Sequence, residues 1–259
     1  ASHGAPASQA VHALVIGASR GIGLALTQAL LARPDTARLY ATGRHPQQAE
    51  ALQQLALAHP HTLRLLTLDV TRAEDFTRVA DTVRQEAGRL HRVFHVAGLL
   101  HDTAQGIRPE RRVEDLRAEA LAASFAVNAS AVALSAKALL PLLAHDERAL
   151  FASLSARVGS IADNRLGGWY AYRAAKAAQN QISRSFAVEA ARRAPNLVVA
   201  SLHPGTVETD LSAPFRGAVA AEKLFSPERA ATQLLAVTDA LTPALSGRFW
   251  AWDGQEIPW

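Results

Sequence analysis

Val11 to Ile16 is a short apolar run that leads straight into Gly17-Ala-Ser-Arg-Gly21-Ile-Gly23, after which the helical pattern Leu24 to Ala32 begins. A strand that ends in glycines and opens a helix turns free backbone N–H groups and the positive helix end toward one point, where phosphate is well held. The spacing is Gly-x-x-x-Gly-x-Gly rather than Gly-x-Gly-x-x-Gly, so the turn alone does not spell the common dinucleotide fingerprint. The remainder of the chain narrows the fold class. Further runs at Arg38 to Thr42, Thr62 to Leu68, Arg92 to Val96, Ala149 to Leu154, Leu197 to Leu202 and Gly247 to Trp252 read as strands. Between them lie helical patterns at Gln47 to Ala58, at Thr71 to Ala87 with Gly88 as its stop, and at Val113 to Ala144 with an interruption expected near Pro141. Two more run from near Trp169 to Ala194 and from the cap Ser226-Pro227-Glu228. Strands alternating with helices at this spacing predict a parallel sheet with right-handed crossovers, whose ligands gather at the carboxyl ends of the strands.

No repeat or linker breaks the alternation, so residues 11–259 are expected to form one domain behind a flexible lead over residues 1–10. With 49% hydrophobic and 19% charged residues, the 259-residue chain has the composition of an ordinary globular protein. The absence of cysteine removes disulfides, thiol chemistry and thiolate metal sites, and is compatible with a reducing compartment. A net charge of +4 from 27 basic and 23 acidic residues, without long blocks of one sign or basic-aromatic interleaving, argues against a nucleic-acid partner. The longest uncharged run, Ala120 to Ala136, carries Ser124, Asn128, Ser130 and Ser135 and is shorter than a membrane span, so a buried helix is expected. His91 and His95 stand four apart on a strand, ~13 Å from each other, and no metal site is expected.

Two places carry chemistry. No Asp or Glu occurs between Leu39 and Gln48, where an acid would accept hydrogen bonds from an adenosine ribose; Arg44, helped by Arg20, points instead to a 2′-phosphate and so to NADP(H). Tyr172 and Lys176 lie one helical turn apart, preceded by Gly167 and Gly168. A cation held close to a phenol favours the phenolate, and a drop of ~3 units, or ~4 kcal/mol, would let Tyr172 exchange a proton with a carbonyl oxygen near neutrality. Taken alone, a Tyr-x-x-x-Lys pair is far more often a surface helix contact, and context elsewhere in the chain must overturn that reading. The polar loop Leu99 to Arg112 reads as solvated, and the aperiodic stretch Thr206 to Phe225 as a lid over a pocket.

Taken together, Gly17-Ala-Ser-Arg-Gly-Ile-Gly23, Asp69, Ala97-Gly98, Asn128, Ser155, Tyr172-x-x-x-Lys176 and Pro204-Gly205 stand in an order and spacing that resembles the short-chain dehydrogenase/reductase family. The runs SARVGSIADNRLGGWYAYRAAKAA and LHPGTVETDLS look like its bacterial branch related to the C-factor and sniffer-type carbonyl reductases. The resemblance implies an α/β, doubly wound (Rossmann) domain with a seven-stranded parallel sheet. It implies a relay in which Tyr172 is the acid/base, Lys176 lowers its pKa and holds the nicotinamide ribose, Asn128 anchors a water leading out from Lys176, and a serine hydroxyl bonds the substrate oxygen. By the same carry-over the cofactor would be held by Gly17, Ser19, Arg20, Gly21, Ile22, Gly23, Arg44, Asp69, Val70, Ala97, Gly98, Pro204, Gly205, Val207 and Thr209, with Asp69 facing the adenine. A small-molecule carbonyl substrate, a cytoplasmic location, no membrane, and a dimer or tetramer through the two long helices belong to the same expectation.

Two departures stand out. The family's catalytic serine falls three residues before Gly159, where this chain has Ala156, and Ser155 is the nearest hydroxyl, with Ser153 and Ser160 as further candidates. The usual Asn-Ala-Gly after the fourth strand reads His95-Val96-Ala97-Gly98. A cofactor-binding scaffold without turnover is the competing class. Trp169, with Phe215 and Leu99, is expected to wall an apolar pocket or to pack in the core.

Overall fold

A computed structural model describes residues 9–259, so the lead expected over residues 1–10 lies, but for its last two residues, outside the described part. Seven strands, β1 (Val11–Ile16), β2 (Thr36–Gly43), β3 (Leu63–Thr67), β4 (Arg92–His95), β5 (Ala149–Leu154), β6 (Leu197–His203) and β9 (Arg248–Ala251), form one sheet in the order β3-β2-β1-β4-β5-β6-β9. Every pair in it is parallel. The chain therefore winds outward from β1 to β3, returns to β4 and winds out the other way. The crevice between the carboxyl ends of β1 and β4 is the place such a sheet offers a ligand.

Strands buried on both faces read as unbroken apolar runs, which is why β1 and β5 match their sequence boundaries residue for residue. Alternate side chains enter two cores. Leu14, Val93, Phe151 and Val199 pack with α3 (Ala73–Glu86), α5 (Ala131–Leu143) and α6 (Tyr170–Arg193). Ala13, Phe94, Ala152 and Val198 face α1 (Gly21–Leu31), α2 (Glu50–Ala58) and α7 (Pro227–Asp239). Ser226 caps α7 as its sequence foretells, its hydroxyl accepting the Arg229 N–H at 3.1 Å.

The predicted long helix departs from expectation. Its break is not at Pro141, which sits inside the last turn of α5. Instead α4 (Ala118–Phe125) passes into a π-helical turn, Ala126–Ser130, and only then into α5. The combined run from Ala118 to Leu143 is long and apolar enough to cross a membrane, beyond the shorter stretch read from the sequence, but more than half of its most apolar window is buried in the protein. The 206–225 segment is a flap whose ends pair as two-residue parallel strands, β7 (Thr206–Val207) and β8 (Leu224–Phe225).

Candidate active site

At the crevice the glycines have work that no other residue can do. Gly17 has φ 86°, and a Cβ there would stand 2.9 Å from the Ala97 nitrogen; Gly21 has φ 57°. A Cβ on Gly23 would overlap the Gly17 carbonyl, so strand and helix meet only because that side chain is absent. Arg20 precedes α1 in extended conformation and no side chain caps the helix end, leaving its first amides facing outward. Ser19 lies over Gly43, and Ile22 packs beside Val207 and Phe225 of the flap. A glycine cradle with an uncapped helix end fits the pyrophosphate of a dinucleotide.

Asp69 follows β3, its carboxylate accepting from the Thr71 hydroxyl (2.7 Å) and amide (2.9 Å), and these bonds hold its pKa below the usual range. Val70 is half-buried against the α3 core. Arg44 is exposed just beyond β2 and forms no ion pair among the described residues. The Arg20 guanidinium meets Asp210 of the flap at 3.4 Å, both side chains being exposed. Pro204 is buried at the end of β6, Gly205 (φ 80°) would place a Cβ 2.7 Å from the Phe225 ring, and Thr209 rests against Gly21.

Across the crevice α6 brings Tyr172 and Lys176 together on its buried face. The Lys176 ammonium lies 5.6 Å from the centroid of the phenol ring and donates to the Leu154 carbonyl and to Gln179 Oε1, both at 2.9 Å. Asn128, from the π turn, accepts the Leu99 N–H at 3.0 Å and donates to the Leu99 carbonyl at 2.7 Å and to Ser124 at 3.2 Å. A Cβ on Gly98 would sit 3.4 Å from Asn128 Oδ1 and 3.7 Å from Lys176 Nζ, so the three converge at one point.

The electrostatics correct the sequence reading. Burial raises the Tyr172 phenol well above its ordinary value, and the Lys176 ammonium beside it is directed at Leu154 and Gln179. Burial brings Lys176 down to about 7. The protein by itself thus holds a protonated phenol beside a lysine that titrates near neutrality.

Of the serine candidates, Ser160 is engaged with the carbonyls of Pro258 and Trp259, and Ser153 lies 3.4 Å from the Ser183 hydroxyl in the core. Ser155, at the carboxyl end of β5, is buried and its hydroxyl has no hydrogen-bond partner among the described residues. Trp169 does not pack in the core: it meets Tyr172 edge-on at 6.2 Å and Phe215 of the flap at 5.2 Å, and Phe215 meets His101 at 5.9 Å. The 99–112 loop therefore reaches the site wall through His101, with Leu100, Ile107 and Glu110 buried, while residues 103–106 are exposed to solvent.

A family model described as short chain dehydrogenase matches residues 11–219. The chain belongs to the short-chain dehydrogenase family. Relatives of this family include the C-signal protein of Myxococcus xanthus, 36% identical over 139 residues, which cover 54% of this chain and 78% of that one. NADPH-bound carbonyl reductase from chicken fatty liver superposes with a TM-score of 0.84 at 27% identity, covering 97% of this chain and all of the other. The carbonyl reductase Sniffer of Drosophila melanogaster gives 0.84 at 26%, with the same coverage. These likenesses put the chain in the C-factor and sniffer-like branch of the short-chain dehydrogenases.

Of three further residues at the site, Gln179 and Glu110 escaped sequence reasoning, and His95 reads as a departure from the family pattern. Gln179 shares the Leu154 carbonyl with Lys176, its amide donating at 2.9 Å. His95 is buried on the sheet face next to Lys176, with neither ring nitrogen bonded among the described residues, and burial with that neighbouring charge takes it down to about 3. Glu110 is a carboxylate left 4% exposed in a loop that looked solvated. At the opposite end of the sheet His91, His145 and Glu147 bring ligand-type atoms within 4.8 Å of one another. Their hydrogen bonds already use both nitrogens of each ring. His145 accepts the Glu147 N–H and donates to the Leu90 carbonyl, while His91 accepts the His12 N–H and donates to Glu147. A cation would have to displace those partners.

Proposed function

We propose that the protein is an NADPH-dependent reductase of aldehydes or ketones. The observation that carries this reading is the convergence of Tyr172, Lys176, Asn128 and Gly98 across the crevice from an uncapped glycine-lined helix end. The carbonyl reductase likeness supports the substrate class, and Arg44 with no acid on the Leu39 to Gln48 stretch supports the phosphorylated cofactor. When bound, the reduced nicotinamide supplies a hydride to the carbonyl carbon. Tyr172 donates its proton to the carbonyl oxygen, which leaves as an alcohol, and a phenol kept protonated by burial is the correct starting form for that donation. Lys176, titrating near neutrality, is suited to returning the proton, and Asn128 holds the loop at Leu99 in register with it. The Ser155 hydroxyl, buried without a partner, is free to bond the substrate oxygen. A cytoplasmic location and a dimer or tetramer packed through α5 and α6 belong to this reading; Leu140, Pro141, Ile182 and Phe186 line an open groove between those helices. The test is NADPH consumption over a panel of aldehydes and ketones for the parent and Tyr172→Phe. Loss of turnover in the variant is expected, and equal rates in both would end the proposal.

A further inference from the structure

We infer that Glu110 is a positioning residue that caps the Tyr172 helix from the far side of the site, an inference that rests on the Tyr172 reading above. No side chain of its own caps α6, although the helix carries both Tyr172 and Lys176. Glu110, 61 residues earlier in the chain, reaches it twice. Its carboxylate accepts the Ala171 N–H at 3.3 Å, and its carbonyl accepts the Trp169 N–H at 2.7 Å. The chain enters these bonds through three left-handed residues, Gly167 (φ 65°), Gly168 (φ 67°) and Trp169 (φ 52°), the last being the one residue other than glycine with positive φ among the described residues. A tryptophan takes that conformation only where its surroundings impose it.

The consequence reaches the phenol. Trp169 lies edge-on to Tyr172, so the turn that Glu110 imposes fixes the ring wall against which the phenol rests. A buried carboxylate at a positive helix end is well matched electrostatically, and Ala171 is in turn fastened by Ser124, which donates to its carbonyl at 3.4 Å and is itself bonded to Asn128. The loop from Leu99 to Arg112 thus holds Asn128 at one end, through Leu99, and the start of the Tyr172 helix at the other, through Glu110.

The test uses the full chain with Glu110→Ala and Glu110→Gln, because the amide of Gln keeps an oxygen that accepts the Ala171 N–H. Hydrogen exchange is read on a peptide spanning residues 168–174, NADPH affinity by fluorescence titration, and turnover with benzaldehyde as the probe. Glu110→Ala should speed exchange in that peptide about five- to tenfold, the loss expected for one cap, while the rest of α6 and the sheet keep the parent's rates. Its kcat should fall about tenfold or more with NADPH affinity within about twofold, as for misplacement of the reacting phenol. Glu110→Gln should recover the parent exchange rate. Unchanged exchange in Glu110→Ala, equally fast exchange in Glu110→Gln, or a parallel loss of NADPH affinity and global protection would overturn the inference. Tyr172→Phe in the same assay separates the two ideas: if it turns over like the parent the Tyr172 reading fails, whereas the exchange result judges Glu110 alone.

Discussion

Replacing Lys176 with Met should make the protein more stable at neutral pH and change how its stability depends on pH. The side chain is 3% exposed, and burial lowers its pKa from 10.5 to about 7. Below about 7 the ammonium is present in both folded and unfolded chains, and the folded one carries the full desolvation penalty. Between about 7 and 10.5 the folded chain has released the proton while the unfolded chain keeps it, so folding stability rises with pH across that window. Each unit is worth ~1.4 kcal/mol, so from about pH 7 to about pH 9 the parent should gain ~2–3 kcal/mol that Lys176→Met cannot gain. Every other titrating group is common to the two proteins and cancels in the difference. In the Met variant the Leu154 carbonyl keeps its bond from Gln179 at 2.9 Å, while Gln179 Oε1 loses its Lys176 donor, a cost that does not change with pH. Urea unfolding of both proteins across that range is the assay. A stability difference in favour of Lys176→Met that shrinks by ~2–3 kcal/mol between about pH 7 and about pH 9, and goes on shrinking toward about pH 10.5, is expected. A difference that stays constant with pH would show that the lysine keeps an ordinary pKa in the fold and would remove the basis for its part in the proton path.

Two further outcomes rest on particular contacts. Arg44→Ala should weaken NADPH binding about tenfold or more and leave NADH within about threefold, measured by titration, because only the 2′-phosphate loses its charged partner. Ser226→Ala should cost about 1 kcal/mol and lower Tm by ~2–4 °C, since it removes the hydroxyl that accepts the Arg229 N–H at the start of α7.

Local pattern carried most of the fold. The buried strands β1 and β5, the glycine turn before α1 and the Ser226 cap are decided by residues adjacent in sequence, and these were legible to within a residue or two. The helix break was misplaced because Pro141 is visible as a breaker, whereas the π turn at Ala126–Ser130 leaves no mark in residue type. At the site, the glycines and the Tyr172–Lys176 spacing could be read. The direction of the Tyr172 pKa could not, because it depends on burial, which only tertiary packing fixes. Glu110 is the sharpest omission: its bond to Ala171 spans 61 residues, and nothing near it in sequence marks it as buried. His101, read as part of a solvated loop, is held to the flap by a bond to the Asp210 carbonyl at 3.0 Å that local sequence does not announce.

The most direct measurement tracks the hydride itself. With NADPH deuterated at the transferable position of the nicotinamide and an aldehyde from the panel, the parent should yield alcohol bearing deuterium on the carbinol carbon, and Tyr172→Phe should yield almost none. NADPH bound tightly, with no labelled alcohol from any aldehyde or ketone, would contradict the account and leave a nucleotide-binding protein without this reaction.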